Sequence, residues 1–302
     1  MFIIASRESR LALWQANYVQ NIIKNSGNVQ VEILGITTRG DRILDQSLSK
    51  IGGKGLFIKE LETALLERKA HLAVHSLKDV PMDLAEDFVL GAILKREDPR
   101  DAFVSNKYNS LDELPNESIV GTSSLRREFQ IRRNWPNLRI IPLRGNLDTR
   151  LKKLDSGEMH GIVLAAAGLK RLNYTNRIKQ IIPPEVILPA TGQGALGIEI
   201  LERNKQVLEL IKPMIDIKTT KEVSIERIVS RKLGASCQLP LAVFCETQVS
   251  TKNFRLRARL AMPDGSGYCA IDLIGNDEEQ LGSLAAESLI EQGAKKIINS
   301  LN

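Results

Sequence analysis

The chain is short of aromatic residues, cysteine and histidine, and each shortage removes a class of function. Phe, Trp and Tyr make up 4% of the 302 residues, which argues against a surface that stacks bases, and the cations sit in scattered turns rather than along one helix. Three cysteines, Cys237, Cys245 and Cys269, form an odd set with no CxxC spacing, so neither a disulfide framework nor a zinc knuckle is implied. The segment HLAVH has the outer histidines of HExxH, but Leu72 stands where the general base belongs, and His160 is the one histidine left over; a metal site is put aside. No run reaches the roughly 20 apolar residues of a membrane span, and MFIIASRESR carries its charges after a very short apolar run, the reverse of a secretory leader. The expectation is a cytoplasmic protein with free thiols, no metal, and neither membrane nor nucleic acid as partner.

What is present is a globular composition with a basic balance. At 43% hydrophobic the chain buries a substantial core over two or three domains. A formal net charge of +6 favours an acidic partner. Five short apolar strands each run into a turn rich in Ser, Thr, Gly or Arg and then toward a helix: ASRES, HSLKDVP, GTSSLRR, LRGNLDTR and AAAGLKR. A helix start offers unpaired N–H groups and partial positive charge. Five in succession point to a ligand carrying many carboxylates or phosphates.

The alternation of strands and helices sets the organisation. FIIAS, a helix from about Arg10 to Lys24 and VQVEILGITT form a β-α-β unit, and Leu11, Trp14, Ala16, Tyr18 and Ile22 are expected on the helix's inner face. A helix over GLFIKELETALLERKA leads into the strand LAVHS, and RGDRILDQSLSKIGGKG before it reads as a long lid loop. From about Asp101 a second α/β domain begins, and PPEVILPATGQGALGIEI returns the chain to the first. The last segment carries LPLAVFCE, FRLRARLAM and GYCAIDLIG with a final amphipathic helix. The expected fold class is therefore α/β: two similar two-lobed binding-protein-like α/β domains plus a small C-terminal α+β domain with a three-stranded antiparallel sheet. The expected boundaries are 1–95 with 195–213, 100–190, and 217–302. In that architecture ligand lies at the carboxyl ends of the strands.

Several motifs carry no function. Gly192, Gly194 and Gly197 match GxGxxG but run into the β-branched GIEI, and IGGKGLF lacks the spacing of a phosphate-cradling loop. Cys245 and Cys269 lie in strand-like runs and read as small buried side chains. Cys237 lies between Gly234-Ala235-Ser236 and Gln238, a loop composition that leaves a thiol accessible. Asp79, beside Lys78 at the end of a strand, reads either as a surface ion pair or as a carboxylate that stabilises positive charge on a substrate. Arg132 and Arg133, a turn beyond their helix start, read as a solvated face.

The combination HSLKDVP, GTSSLRR, LRGNLDTR and the late Cys237-Gln238 closely resembles the porphobilinogen deaminase (hydroxymethylbilane synthase) family, and ASRESRLALWQA, GGKGLFIKELE, AAAGLKRL and TGQGALGIE extend the resemblance from the N-terminus into the third domain. The resemblance implies a transferase of tetrapyrrole and heme biosynthesis that joins four porphobilinogen molecules head to tail, with loss of ammonia, on a dipyrromethane cofactor. It implies Cys237 as the thioether anchor and Asp79 as the catalytic carboxylate. It places Ser76, Lys78, Thr122, Ser123, Ser124, Arg126, Arg127, Gly145 and Asn146 on the cofactor carboxylates. Arg7, Ser9, Arg144, Arg150 and Arg171 fall to the substrate or growing chain, and Lys50, Lys54 and Phe57 to the lid or to stacking on a pyrrole. The residues agree with this, since each pyrrole brings two carboxylates and the oligomer is strongly anionic. A monomer is implied, with product passing to uroporphyrinogen-III synthase.

Two departures stand out. Ala235-Ser236 replace the family's usual Gly-Gly before the cysteine, and Met159-His160 replace a usual Tyr-Asp pair, read here as surface variation. The alternative reading is a two-lobed anion-binding or sensor protein without catalysis, which requires neither Asp79 nor a reactive Cys237.

Overall fold

The computed structural model describes residues 1–27, 29–42, 55, 57–234 and 239–301. It resolves into two compact units, Met1–Glu97 with Ala195–Thr220, and Asp98–Gly194 with Lys221–Asn302.

The first unit is built on a five-stranded sheet. Its strands are β1 (Phe2–Arg7), β2 (Val31–Ile36), β3 (Leu72–Ser76), β4 (Phe88–Ile93) and β10 (Leu196–Leu201), in the order β2-β1-β3-β10-β4. β1 runs parallel to β2 and β3, while β10 is antiparallel to both its neighbours. Helix α1 (Arg10–Ser26) and helix α7 (Lys205–Ile211) bring Ala16, Val19, Ile23, Val207 and Ile211 onto one face. Helix α3 (Lys59–Leu66) covers the other with Leu61, Ala64 and Leu65. Both faces of the sheet are thus buried, as crossover helices require.

The inner face of α1 differs from expectation. Ala12, Gln15, Ala16, Val19 and Ile23 are buried, whereas Tyr18 is exposed and stacks on Trp14 at 5.4 Å. The two apolar stripes lie one position apart, and the small, aliphatic one packs more closely on the sheet. The helix expected over GLFIKELETALLERKA occupies only Lys59–Leu66. HSLKDVP leads into a single 3-10 turn, Leu77–Asp79, rather than a helix, because Pro81 lacks an N–H and disfavours helical backbone at the preceding residue. A short helix α2 (Arg39–Arg42) opens the expected lid loop; residues 43–54 of that loop, with Lys50 and Lys54, lie outside the described residues.

The second unit repeats the layout. Strands β5 (Asp101–Val104), β6 (Ile119–Gly121), β7 (Arg139–Ile141), β8 (Gly161–Ala165) and β9 (Ile178–Ile182) order as β7-β6-β8-β5-β9, with β5 antiparallel to β8 and β9. Helices α4 (Leu125–Asn134), α5 (Leu147–Asp155) and α6 (Ala166–Arg171) follow β6, β7 and β8. β4 and β9 are additional to the strands read from sequence. Met159 is not surface variation: it is buried, and its Sδ lies 2.3 Å from where a Cβ on Gly121 would sit.

A three-stranded antiparallel sheet, β11 (Leu241–Thr247), β12 (Phe254–Leu260) and β13 (Cys269–Gly275), completes this unit. Helices α9 (Glu278–Glu291) and α10 (Ala294–Leu301) pack on one face with Leu281, Ala285, Leu289 and Ile297. On β12, Arg257 Nη1 donates to Glu185 (2.6 Å) and Nη2 to Glu246 (3.0 Å), while Arg259 donates to the carbonyls of Glu185 and Val186. Helix α8 (Ile217–Lys232) supplies the buried Glu226, which accepts from the backbone N–H groups of Gly192 and Cys245 at 2.7 and 2.9 Å. Cys245 and Cys269 are both buried, as their strand-like runs imply.

Candidate functional site

In the first unit, parallel pairing brings the carboxyl ends of β1 and β3 to one edge of the sheet. A pocket of about 70 Å³ opens there, lined by Arg7, Ser9, Phe57, His75, Ser76 and Asp79 among others. Ser9 caps α1, its Oγ accepting from the Ala12 N–H at 3.3 Å. Ser76 Oγ accepts from Gln15 Nε2 at 2.7 Å, and Gln15 is itself buried. The 3-10 turn projects Asp79 as an exposed carboxylate on the pocket wall, with Lys78 half-buried beside it.

Arg7 is held by two partners. Its Nε donates to Asp41 Oδ2 at 3.0 Å and its Nη2 to Asp41 Oδ1, while the guanidinium carbon lies 4.2 Å from the Phe57 ring centroid. Burial pushes the Asp41 carboxyl up, but Arg7 and Thr38 outweigh it and hold the group below its ordinary range.

In the second unit two strand-to-helix turns carry the predicted cofactor residues. After β6, Thr122 is buried with its Oγ1 accepting from the Ser124 N–H at 3.2 Å, and Ser123 Oγ donates to the Leu143 carbonyl at 2.9 Å. Ser124 is the N-cap residue of α4 but makes no side-chain cap bond. After β7, Asn146 caps α5, its Oδ1 accepting from the Thr149 N–H at 2.9 Å. Gly145 has φ of +103°, and a Cβ there would lie 2.7 Å from Thr149, so this turn requires glycine. Arg150 Nε donates to the Gly145 carbonyl at 2.9 Å, Arg144 is half-buried in the same turn, and the buried Arg171 donates to the Gly194 carbonyl at 2.7 Å.

Arg126 and Arg127 converge on a residue that the sequence reading passed over, Asp101 at the head of β5. Arg126 Nη1 reaches Asp101 Oδ2 at 2.8 Å, and Arg127 Nη2 reaches Oδ1 at 2.7 Å, with all three side chains buried. Leu188 and Val163 carbonyls and Gln193 take further guanidinium donors. Burial opposes ionisation of Asp101, yet the two arginines more than offset it and keep the carboxylate well below its usual range. Burial also draws Arg126 down, only partly countered by Asp101. Two guanidinium groups against one carboxylate leave a surplus positive charge inside the unit, and a surplus of that sign is better tolerated beside an anion. The signal in sequence was an acid opening an otherwise apolar strand, DAFV. Gln15 and Asp41 were equally silent, since their work lies in contacts across 61 and 34 residues of chain.

Cys237, with Ala235, Ser236 and Gln238, lies outside the described residues. Arg132 pairs with Glu128 one turn back. Arg133 is not simply a solvated side chain: its guanidinium stacks over Tyr268 at 3.8 Å. Among the described residues no group of three or more His, Cys, Asp or Glu is placed to hold a metal, and no helix is long and apolar enough to cross a membrane.

The two α/β sheets of one layout, with hydroxyl, backbone and guanidinium donors at their strand ends, define a binding-protein-like α/β protein suited to an acidic small molecule. The chain belongs to the porphobilinogen deaminase family: residues 2–209 match the family model described as porphobilinogen deaminase, dipyromethane cofactor binding domain, and residues 220–291 match its C-terminal domain. A porphobilinogen deaminase of Nitrosomonas europaea is 54% identical over 302 residues, covering 99% of this chain and 97% of that one. One of Neisseria meningitidis serogroup B is 51% identical over 302 residues, covering 99% and 96%. Among solved structures, a nutrient binding protein from Burkholderia cenocepacia bound to methionine aligns with a TM-score of 0.46 at 11% identity, covering 70% of this chain and 90% of that one.

Proposed function

We propose that this protein joins four porphobilinogen molecules head to tail, releasing ammonia at each step, to give the linear tetrapyrrole hydroxymethylbilane on a dipyrromethane primer. The observation that carries this reading is the first unit's pocket, where one exposed carboxylate, Asp79, shares a wall with Arg7, Ser9 and Ser76. An anion-binding protein without chemistry leaves that carboxylate unexplained, because an acid weakens binding of an acidic ligand.

The donor set fits a carboxylate-bearing cofactor. The Thr122 and Ser124 hydroxyls and the N–H groups of Ser123 and the Gly145-Asn146 turn are hydrogen-bond donors at helix starts, and the surplus charge at Arg126 and Arg127 complements an anion. Ser76 and Lys78 add a hydroxyl and an ammonium from the turn that carries Asp79. When bound, dipyrromethane supplies the free α-carbon to which the first substrate unit is joined; Cys237 anchors it by a thioether.

Loss of ammonia from porphobilinogen leaves a cation. The Asp79 carboxylate stabilises that positive charge and assists transfer of the proton released when the α-carbon attacks. Arg7, Ser9, Arg144, Arg150 and Arg171 hold the acetate and propionate groups of substrate and growing chain, and Phe57 offers a face to a pyrrole. Lys50 and Lys54 serve the lid. The protein works as a cytoplasmic monomer of three domains, 1–95 with 195–213, 100–190 and 217–302, and passes its product to uroporphyrinogen-III synthase.

The test is the intact denatured mass of the purified protein beside Cys237→Ser, before and after incubation with porphobilinogen. Added mass of two linked pyrroles in the parent and none in the variant is expected. A parent that never gains mass after incubation overturns the reading.

A further inference from the structure

β10 is buried at all six of its positions, and one of them is Glu199. The register pairs Gly197 with His75 and Glu199 with Ala73, which leaves His75 Nε2 at 2.8 Å from Glu199 Oε2, with both side chains almost wholly buried. The other oxygen, Glu199 Oε1, meets no N–H or O–H donor of the described residues. What does come close to Glu199 is a second carboxyl group, that of Glu62 on α3, near enough for the two acids to act on one another. Two carboxylates are acceptors only, so a hydrogen bond between them exists only with a proton on one of them.

His75 in turn borders the pocket with Ser76 and Asp79. Its Nε2 is engaged by Glu199, and just past β3 the Leu77 N–H donates to the Ala195 carbonyl at 3.0 Å. Side chain and backbone together tie the end of β3 to the segment entering β10.

We propose that Glu62, Glu199 and His75 are positioning residues: a chain with one proton shared by its two carboxyl groups, which holds the His75 wall and, through the end of β3, the Ser76–Asp79 turn. This rests on reading that pocket as the reaction site. The groups facing Glu62 are Glu199 from β10, His75 from β3 and Lys59 on its own helix. Burial, then the charge of Glu199, pushes the Glu62 carboxyl up, and His75 and Lys59 pull it only partly back. When pH rises through that raised value the shared proton is lost, two carboxylates face one another, and the turn is released.

The experiment compares the full-length parent, Glu62→Gln and Glu199→Gln in two readouts across a pH series: thermal melting and the kcat and KM for porphobilinogen. A group raised on folding contributes stability that is present below its unfolded value, near 4.5, and is lost as pH rises through the folded one. The parent is expected to lose melting temperature and kcat on that alkaline side, and Glu62→Gln, which keeps a donor but cannot ionise, is expected to flatten both losses. Glu199→Gln is expected to lower kcat about tenfold with KM moving less than about twofold, since it disturbs the turn rather than a carboxylate-binding donor. Melting and kcat profiles of Glu62→Gln that superimpose on the parent overturn the proposal. A parent that does not consume porphobilinogen overturns the reading of the reaction instead, and the melting comparison then still decides whether the acid pair exists.

Discussion

Arg127 grips Asp101 with two donors on one oxygen, Nε at 3.0 Å and Nη2 at 2.7 Å, while Arg126 takes the other oxygen at 2.8 Å. Asp101→Asn removes the one carboxylate between two buried guanidinium groups and is expected to destabilise the protein by about 3–5 kcal/mol, read as a lower urea midpoint at neutral pH. The parent's carboxyl is depressed on folding, so its contribution is full above the ordinary carboxylate range and is lost as pH falls toward the folded value. The variant is therefore expected to show a shallower loss of stability in acid. An unchanged acid limb would show that the carboxylate is not what holds the pair.

Asp79 is exposed and ends its own short turn, so replacing it costs the fold little. Asp79→Asn is expected to keep the parent's circular dichroism and to lose about 10²- to 10⁴-fold in hydroxymethylbilane formation, the usual worth of a positioned acid or base. Normal turnover removes Asp79 from the chemistry.

Arg144 and Arg150 sit in the turn that opens α5. Arg144→Ala or Arg150→Ala is expected to slow elongation about 10- to 100-fold, the value of one charged hydrogen bond to a carboxylate. Mass spectra taken during turnover are expected to show enzyme carrying partial chains. Parent-like distributions assign these arginines to structure alone.

The Asn146 cap has a local cost. Asn146→Ala is expected to destabilise the start of Leu147–Asp155 by about 1 kcal/mol, seen as roughly fivefold faster amide exchange in its first turn. Exchange that does not change there places the stability of α5 in its buried Leu151 and Leu154.

How much of this was written legibly in the chain depends on the range of the interaction. Turns such as GTSSLRR and LRGNLDTR announce themselves locally, because caps and positive-φ glycine act within a few residues. The strand β9 went unread since IKQII mixes polar and apolar residues without a clean period. On the inner face of α1 the expected Ala16 is buried, but Trp14 and Tyr18 only look like core; the packing distance to the sheet selects Ala12, Val19 and Ile23 instead. Asp101, Glu199 and Gln15 were invisible for another reason. Each is one polar letter in an ordinary segment, and its meaning comes from a partner 25 to 124 residues away in sequence.

The arginines of β12 give the three-stranded sheet an attachment unlike any core. Arg257 is buried, but its partners Glu185 and Glu246 are 63% and 41% exposed, and the apolar contact at this seam is small, Leu188 with Ala242 and Phe244. A joint made this way is a clasp of ions at the water's edge, and its strength varies with the dissolved salt around it. Rising ionic strength slackens the clasp while leaving the leucine-rich packing under α9 untouched, so the salt content of the medium becomes a dial on how firmly this three-stranded sheet is seated.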